Sequence, residues 1–177
     1  MPLIDYGHLE YGENKVQEAI NKWTNIKLIN SEIKLHLIGK LQTNKVRFAL
    51  KIFDYIHSVD SKKLAKKIAD EELKQNKKMK IFLQVNIGNE EQKSGISEDK
   101  LNDLYTFCKK LDLNVVGLMC IPPSQNKSEI FFQKMNTLAK ELNLQELSMG
   151  MSADYVEAAK NSATYLRIGS NIFGQRT

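Results

Sequence analysis

The chain has 177 residues, 42% of them hydrophobic, and its 26 lysines and arginines against 21 aspartates and glutamates give a net charge of +5. A chain of this length can bury one core, and no linker rich in proline, glycine or serine divides it, so residues 1–177 are predicted to form a single domain. It has no apolar run of the roughly 20 residues that cross a bilayer and no basic-then-apolar leader, which predicts a cytoplasmic protein without membrane association.

Short β-branched or alternating runs, bounded by turn residues, are interleaved with segments of helical periodicity along the whole chain. In chain order these patterns predict strand 9–12, helix 13–26, strand 35–39, helix 43–52, strand 55–59, helix 61–75, strand 81–86, helix 97–111, strand 115–121, helix 128–142, strand 146–149, helix 154–161 and strand 165–168. Strands that alternate with helices at this pitch form right-handed crossovers and a parallel sheet.

Two α/β architectures fit a parallel sheet of this kind. A doubly wound sheet would carry a Gly-x-Gly-x-x-Gly turn after an early strand, and none is present. Polar residues follow several strands instead, which favours a (β/α)8 TIM-type barrel with its site at the carboxyl ends of the strands. The sequence shows seven strands, and Met1 lies a few residues before the first, so we predict an open barrel that lacks its first β/α unit.

The positive charge is the feature that first suggests nucleic acid. Much of the excess lies in the predicted helix 61–75 and just after it, where Leu64, Ile68 and Leu73 recur with helical spacing on the opposite side. Only three of the 26 cations are arginines, the side chains that form forked contacts with bases and phosphates. We therefore interpret the lysines as a solvated helix face and expect no nucleic-acid partner.

Polar residues close the first four predicted strands. The segments 12–14, 39–45, 57–60 and 85–86 each stand where a strand gives way to a helix or loop, and each contains Asn, Ser, Asp, Gln or Lys. Asn, Ser and Asp in such places also cap helices, so each one alone fits a structural role as well as a ligand contact. Together they place polar side chains around one rim of the predicted barrel.

The segment from Leu147 to Asp154 carries a more specific signal. Gly150 allows a tight turn and a close approach of the backbone to a ligand, and Ser152 is predicted to stand where a helix begins. A hydroxyl and free amides at such a point hold anions, phosphate above all. Gly169 and Ser170 supply a second set of amides after the neighbouring strand, although an ordinary loop with Ser152 as a helix cap fits the same residues.

The last predicted strand alternates, with Leu166 and Ile168 on one face and Tyr165, Arg167 and Gly169 on the other. The apolar pair should meet the surrounding helices, which turns Arg167 toward the barrel mouth. A guanidinium there needs an acceptor or an anion, because its burial is costly without one. A ligand and a structural ion pair with a nearby carboxylate both meet that need.

The histidines and cysteines predict no metal site. His8, His36 and His57 lack metal-ligand spacing, and we interpret them as hydrogen-bonded structural histidines. Cys108 and Cys120 form neither a disulfide framework nor a metal pair, which fits a reducing compartment.

With these motifs in view, the chain resembles the pyridoxal phosphate homeostasis protein family, whose barrel is similar to the N-terminal domain of alanine racemase. The resemblance covers nearly the whole chain and rests on ungapped segments in the family's order. They are YGENKVQE at 11–18, HLIGKLQTNK at 36–45, HSVD at 57–60, QVN at 84–86, KSG at 93–95, GLM at 117–119, LSMGMS at 147–152 and RIGSNIFG at 167–174.

The resemblance implies a carrier of pyridoxal 5′-phosphate that helps to balance vitamin B6 pools and has no established catalytic reaction. The cofactor-binding residues that it implies are Asn14, Ser148, Met149, Gly150, Met151, Ser152, Arg167, Gly169 and Ser170. The loop 148–152 and Gly169-Ser170 would hold the phosphate, Asn14 would lie near the ring, and Arg167 would face the pyridine nitrogen. Arginine only donates, so that nitrogen must stay unprotonated, which weakens the electron sink and implies a binder rather than an enzyme.

The sequence departs from the family pattern at its start. The family's lysine that bonds covalently to the cofactor lies on the first strand, which is missing here, and we interpret the chain as a fragment or as a gene start assigned too far downstream. Lys40, Lys45 and Lys93 stand in family motifs on loops or helix starts, where an amine is not desolvated as that role requires. We expect weak, non-covalent binding of pyridoxal 5′-phosphate, no catalytic residue, and a monomer for the complete protein.

Two other functions stay open on the residues alone. A barrel enzyme acting on a small phosphorylated metabolite would use the same phosphate loops, but it should show a paired acid and base, and Glu13, His36, His57 and Asp60 are scattered. An RNA-binding module should interleave aromatic residues with its cations, and the lysine-rich segment has none between Ser61 and Lys78.

Overall fold

The computed structural model describes residues 2–123 and 128–174, in which strands alternate with helices. The strands are β1 (Glu10–Glu13), β2 (Lys34–Leu37), β3 (Tyr55–Val59), β4 (Lys80–Val85), β5 (Asn114–Cys120), β6 (Glu146–Met151) and β7 (Tyr165–Arg167). The helices are α1 (Pro2–Asp5), α2 (Val16–Ile29), α3 (Val46–Ile52, after a 3₁₀ turn at Thr43–Lys45), α4 (Lys62–Gln75), α5 (Glu98–Lys110), α6 (Ser128–Glu141), α7 (Tyr155–Lys160) and α8 (Ser170–Phe173). Every predicted element is present, with its ends displaced by three residues or fewer.

The seven strands form one parallel sheet that curves into a nearly closed barrel. Each strand pairs with the next one along the chain, so the sheet order is β1 to β7. The ring of Tyr165 on β7 lies 5.5 Å from that of His36 on β2 and 5.8 Å from that of Tyr55 on β3, centroid to centroid, and these contacts cross the inside of the barrel. Within the described residues no ladder joins β1 to β7, as the count of seven strands predicted.

The barrel has an inner and an outer core, because alternate residues of a strand point to opposite faces. Tyr55, Phe82 and Met119 form the inner cluster, against which Tyr165 packs. A larger outer cluster joins the other strand faces to the helices, with Trp23 as its largest side chain. Burial on both faces explains why β3 is buried at all five positions and β4 at five of six.

Helix α4 shows how the lysines lie outside the barrel. Leu64 and Ile68 are buried against the sheet, whereas Lys66 pairs with Asp70 on the outer surface. Leu73, which the sequence placed on the apolar side, is 81% exposed. Five residues advance a helix by about 140° beyond full turns, so Leu73 cannot share the face of Ile68. None of the helices in the described ranges has the length and apolar character needed to cross a bilayer.

Candidate functional site

The candidate site lies where β6 and β7 end, and β6 reaches it through an irregularity. The pairing of β6 with β7 shifts between Ser148 and Met151, and Gly150 has a φ of +88° inside this shift. A Cβ on Gly150 would lie 2.5 Å from the Cβ of Ala158, so the absent side chain faces α7. Gly150 is therefore required for packing β6 against α7, and its backbone conformation favours glycine.

Residues 148–152 were predicted to form a ligand loop, but four of the five belong to β6. Ser148 and Met149 are fully buried, because the strand continues through them into the bulge. Met151 is 38% exposed at the end of the strand. The side chain of Ser148 points into the barrel, where it is hydrogen-bonded to other side chains, so its hydroxyl does not belong to a surface loop.

Ser152 and the start of the last helix form a small cluster of amides and hydroxyls, which we call the Ser152 corner: Ser152, Gly169, Ser170 and Asn171. The Ser152 Oγ accepts hydrogen bonds from the amides of Gly169 at 3.3 Å and Asn171 at 3.4 Å. The Nδ2 of Asn171 donates to the carbonyl of Ser152 at 3.0 Å. Apart from its chain neighbours, no heavy atom of the residues that the structure describes lies within 4 Å of where a Cβ on Gly169 would be, so among these residues the corner is open.

The predicted position of Ser152 at a helix start is wrong by two residues. Helix α7 begins at Tyr155, and Asp154 occupies the N-cap position. The Oδ1 of Asp154 accepts a hydrogen bond from the amide of Met151 at 2.7 Å, which closes the turn before the helix. The Ser152 hydroxyl therefore does not cap α7, and it accepts instead from amides at the end of β7 and the start of α8.

Arg167 points into the barrel, as the alternation of its strand predicted. Its Nη1 donates to the Oγ of Ser148 at 2.7 Å, and its Nη2 donates to the carbonyl of Cys120 at 2.8 Å. Both acceptors are neutral, and Arg167 has no ion pair among the residues that the structure describes. Burial lowers the pKa of Arg167, although a guanidinium stays protonated throughout the range in which proteins are studied.

Two buried histidines continue the contacts of Arg167 across the barrel, and no pattern in the sequence links them. The Nδ1 of His57 lies 2.8 Å from the Oγ of Ser148, and its Nε2 lies 3.0 Å from the Nδ1 of His36. The Nε2 of His36 contacts the carboxylate of Glu10. We call this connected set, from Arg167 through Ser148, His57 and His36 to Glu10, the inner polar chain.

The rings of both histidines are held flat against aromatic neighbours. His36 stacks on Tyr55 with centroids 4.2 Å apart, and His57 stacks on Phe82 at the same separation. Burial lowers the pKa of His36, against an opposing effect of Glu10. Burial, with smaller effects of His36 and Arg167, lowers the pKa of His57 well below its ordinary value. Both rings are therefore neutral near pH 7.

A second group of polar residues lies where β1 and β2 end. Asn14 lines a cavity of about 350 Å³ together with Lys15, Lys40, Gln42 and Lys45. Gly39 packs so closely on the backbone of Asn14 that a Cβ there would overlap it. The structure thus brings Asn14 to the rim beside the polar segment 39–45, at the β1 edge of the sheet.

The other candidates for chemistry are occupied or inert. Glu13 accepts hydrogen bonds from the Nε1 of Trp23 at 2.7 Å and from Lys22 at 2.9 Å, so it is a structural carboxylate. Burial raises the pKa of both Cys108 and Cys120 to about 12, which leaves them as unreactive thiols. Among residues 2–123 and 128–174 no three His, Cys, Asp or Glu side chains converge in a way that could hold a metal ion.

Comparison with known proteins adds an independent line of evidence. Residues 2–177 match the model of the alanine racemase N-terminal domain family. A curated relative from Aquifex aeolicus, named pyridoxal phosphate homeostasis protein, is 39% identical over 176 residues, which cover 94% of this chain and 76% of the relative. The Escherichia coli K12 protein of the same name is 32% identical over 183 residues, with 98% and 78% covered.

Solved structures agree with the sequence comparison. PipY of Synechococcus elongatus, solved without PLP, matches with a TM-score of 0.92 and 35% identity. The structure of the same protein with PLP bound matches with a TM-score of 0.90 and 34% identity. Each comparison covers 98% of this chain and 85% of PipY.

Proposed function

The chain belongs to the family of pyridoxal phosphate homeostasis proteins, and we propose that it binds pyridoxal 5′-phosphate and takes part in vitamin B6 homeostasis as a binding protein. The observation that carries this proposal is the pairing of Arg167 with the Ser152 corner. Arg167 and Gly169 are two residues apart, so an inward guanidinium and an open group of amides lie at one end of the barrel. A ligand with both an aromatic nitrogen and a phosphate suits such a pair.

The residues of the Ser152 corner fit a phosphate group. The amides of Gly169 and Asn171 already converge on one oxygen, the Ser152 Oγ, and space beside Gly169 is open. Backbone amides and a hydroxyl are the groups that bind phosphate in proteins. We assign the phosphate to Ser152, Gly169 and Ser170, with Met151 beside them at the end of β6, whereas Met149 and Gly150 support the strand from within.

Arg167 fits the ring nitrogen of the ligand, and Ser148 fits a role behind it. Arg167 uses two of its donors on Ser148 and Cys120 and has others left for a ligand. Bound pyridoxal 5′-phosphate supplies an aldehyde and a ring that can withdraw electrons. A guanidinium only donates, so it holds the ring nitrogen unprotonated and weakens this withdrawal, which favours binding over catalysis. Asn14, at the rim of β1, is assigned to the neighbourhood of the ring.

We propose that binding is weak and non-covalent, that no residue is catalytic, and that the protein acts in the cytoplasm as a monomer without nucleic acid. The support for non-covalent binding is that no lysine in the described ranges is among the buried residues. Covalent chemistry on the aldehyde needs a desolvated amine. Lys40 and Lys45 line the rim cavity, and Lys93 pairs with Glu90 at 2.5 Å, so none of the three supplies one.

Two measurements test the proposed function. Calorimetric titration should show saturable binding of pyridoxal 5′-phosphate that inorganic phosphate competes away. Ser152→Asp places a negative charge against the phosphate and should weaken binding by about 1–3 kcal/mol, the range for charge-assisted hydrogen bonds. Asn102→Asp, which adds the same charge on the exposed face of α5, is the matched control and should bind as the parent does.

Borohydride reduction followed by mass mapping tests the covalency. We expect scattered adducts of low yield. One stoichiometric adduct on Lys40, Lys45 or Lys93 would contradict non-covalent binding. In the titration, equal affinity of the Ser152→Asp and Asn102→Asp proteins would contradict the assignment of the phosphate to the Ser152 corner.

A further inference from the structure

The inner polar chain has a direction, because its two ends have opposite hydrogen-bonding capacity. At one end Arg167 carries donors only, and it donates to the Oγ of Ser148 at 2.7 Å. At the other end lies the carboxylate of Glu10, whose side chain is 52% exposed. When it is ionised, this group can accept hydrogen bonds but cannot donate one. Each group between these ends must then accept a hydrogen bond from the neighbour on the Arg167 side and donate one to the neighbour on the Glu10 side.

The tautomers of both histidines follow from this constraint. The Nε2 of His36 donates to Glu10, so its Nδ1 carries no hydrogen and accepts from the Nε2 of His57. The Nδ1 of His57 is then the acceptor in its contact with Ser148, and the Ser148 hydroxyl donates to it. The lone pairs of Ser148 are left for Arg167, so every donor in the chain points from Arg167 toward Glu10.

We propose that His57 is a positioning residue for Arg167, which it orients by taking the hydrogen of Ser148 and so presenting the serine lone pairs to the guanidinium. This inference rests on the proposed function, in which Arg167 meets the ring nitrogen of pyridoxal 5′-phosphate. Ser148 is fully buried and His57 is 1% exposed, so these contacts are shielded from bulk solvent. A guanidinium with one nitrogen held on Ser148 and one on Cys120 keeps its plane, and its remaining donors keep their aim.

The surroundings of His57 disfavour a protonated ring. If His57 were protonated, its Nδ1 and Arg167 would both donate to Ser148, and two positive charges would share one buried oxygen. The polar, charged and titratable groups that face His57 from the packed elements are His36 on β2, Tyr55 on β3, Ser148 on β6, and Tyr165 and Arg167 on β7. From β4 it meets the Phe82 ring, and none of these neighbours is a carboxylate that would stabilise the charge.

The direct test is the tautomer of His57 in the ligand-free protein. Nitrogen-15 NMR of the histidine-labelled chain at pH 7 should show a neutral ring with its hydrogen on Nε2, and His57→Asn identifies the signal by its disappearance. A hydrogen on Nδ1 or an imidazolium would overturn the proposal. This measurement needs no pyridoxal 5′-phosphate, so it decides on the inner polar chain even if the proposed function fails.

A matched pair of substitutions tests the positioning role. The Oδ1 of an asparagine can take the place of the His57 Nδ1 and accept from Ser148, whereas a glutamine reaches toward the Nε2 position and leaves Ser148 without its acceptor. His57→Asn should keep the affinity for pyridoxal 5′-phosphate within about threefold, and His57→Gln should lower it about tenfold or more. Inorganic phosphate, which uses the Ser152 corner alone, should bind all three proteins equally.

Two results of this comparison would count against a positioning role for His57. Equal losses of pyridoxal 5′-phosphate affinity in both variants would overturn the positioning role, because an acceptor at the Nδ1 position would not rescue binding. A parallel loss of inorganic phosphate would assign the effect to general damage and also count against it. If neither variant folds, nuclear Overhauser contacts with the Phe82 ring identify the His57 signal in the unaltered protein, and its tautomer decides.

Discussion

The middle of the sheet and its last strand are built in opposite ways. Strand β3 is buried at every position and β4 at all but the first, and both are covered by helices and by the inner core. Strand β7 has three residues, none of them fully buried, and α8 after it has no buried residue. Three of the residues assigned to the ligand, Arg167, Gly169 and Ser170, lie in or beside this second region, which has little core of its own.

The contrast teaches that the site is held from the middle of the barrel. Tyr165 packs its ring against Phe82 at 5.3 Å, and Arg167 is bonded to Ser148 and Cys120 on other strands. Ligand sites are commonly drawn from the less stable parts of a fold, provided that a rigid part positions them. The inner polar chain therefore connects the buried centre of the sheet to its more exposed last strand.

The largest expected effect comes from removing a side chain at the centre. Phe82→Ala opens a cavity in the inner core and removes the ring on which His57 stacks, so it should cost about 3–5 kcal/mol of unfolding free energy. Leu166→Ala, at a position 39% exposed on β7, should cost about 1 kcal/mol or less. Urea denaturation of the two proteins measures both, and equal losses would contradict the division between centre and edge.

Effects of intermediate size are expected at two glycines of the candidate site, one packed against a helix and one open. Gly150→Ala forces a Cβ to within 2.5 Å of that of Ala158 at a φ of +88°, and should destabilise the fold by on the order of 2–3 kcal/mol. The methyl group of Gly169→Ala meets no atom of residues 2–123 and 128–174 within 4 Å, beyond its chain neighbours, and the change should leave the unfolding free energy nearly unchanged. Because that methyl group enters the open space of the Ser152 corner, it should weaken phosphate binding instead. A stable Gly150→Ala protein would show that α7 is not packed against β6 as described.

The sequence predicted what local periodicity and strand alternation control. All seven strands were found, and the alternation over 165–169 correctly turned Arg167 inward. The expected loop 148–152 was wrong, because four of its five residues continue β6, and no local pattern marks the irregular pairing with β7 that follows. The alternation Tyr55-His57 on β3 could have placed His57 inside the barrel, but not beside Ser148.

Partners across the barrel are the part that sequence alone did not provide. His36 and His57 are 21 residues apart, and His57 and Ser148 are 91 residues apart. Their contacts depend on the register of several strand pairs and on the curvature of the sheet, and a shift of one residue in any strand would turn a side chain to the other face. Reading each histidine as structural was reasonable residue by residue, and only the assembled barrel connects them to Arg167.

A fall in pH should lower the free energy of unfolding, because His36 and His57 are buried as neutral rings. The pKa values of His36 and His57 lie below the ordinary value of 6.5 in the folded chain, so the unfolded chain binds more protons as the pH falls below that value. Stability should therefore drop between pH 6.5 and 5.5, with a slope of up to about 1.4 kcal/mol per pH unit for each histidine. Urea denaturation across this range should show a smaller slope for His57→Asn. An unchanged slope would mean that His57 is not the buried neutral ring described here.

The smallest effect is expected at the edge itself, from Asn171→Ala. The side chain of Asn171 makes one exposed hydrogen bond, from its Nδ2 to the carbonyl of Ser152 at 3.0 Å, and such a bond contributes about 0.5–1.5 kcal/mol. Because α8 has no buried residue, this loss should appear as local opening rather than as global unfolding. Hydrogen exchange should become faster for the amides of Ile172 and Phe173, which both donate to the carbonyl of Gly169, while the amides of β3 and β4 keep their protection. Faster exchange throughout the sheet would instead show that the edge unfolds together with the centre as one cooperative unit. The ligand would then be held by a uniformly stable barrel.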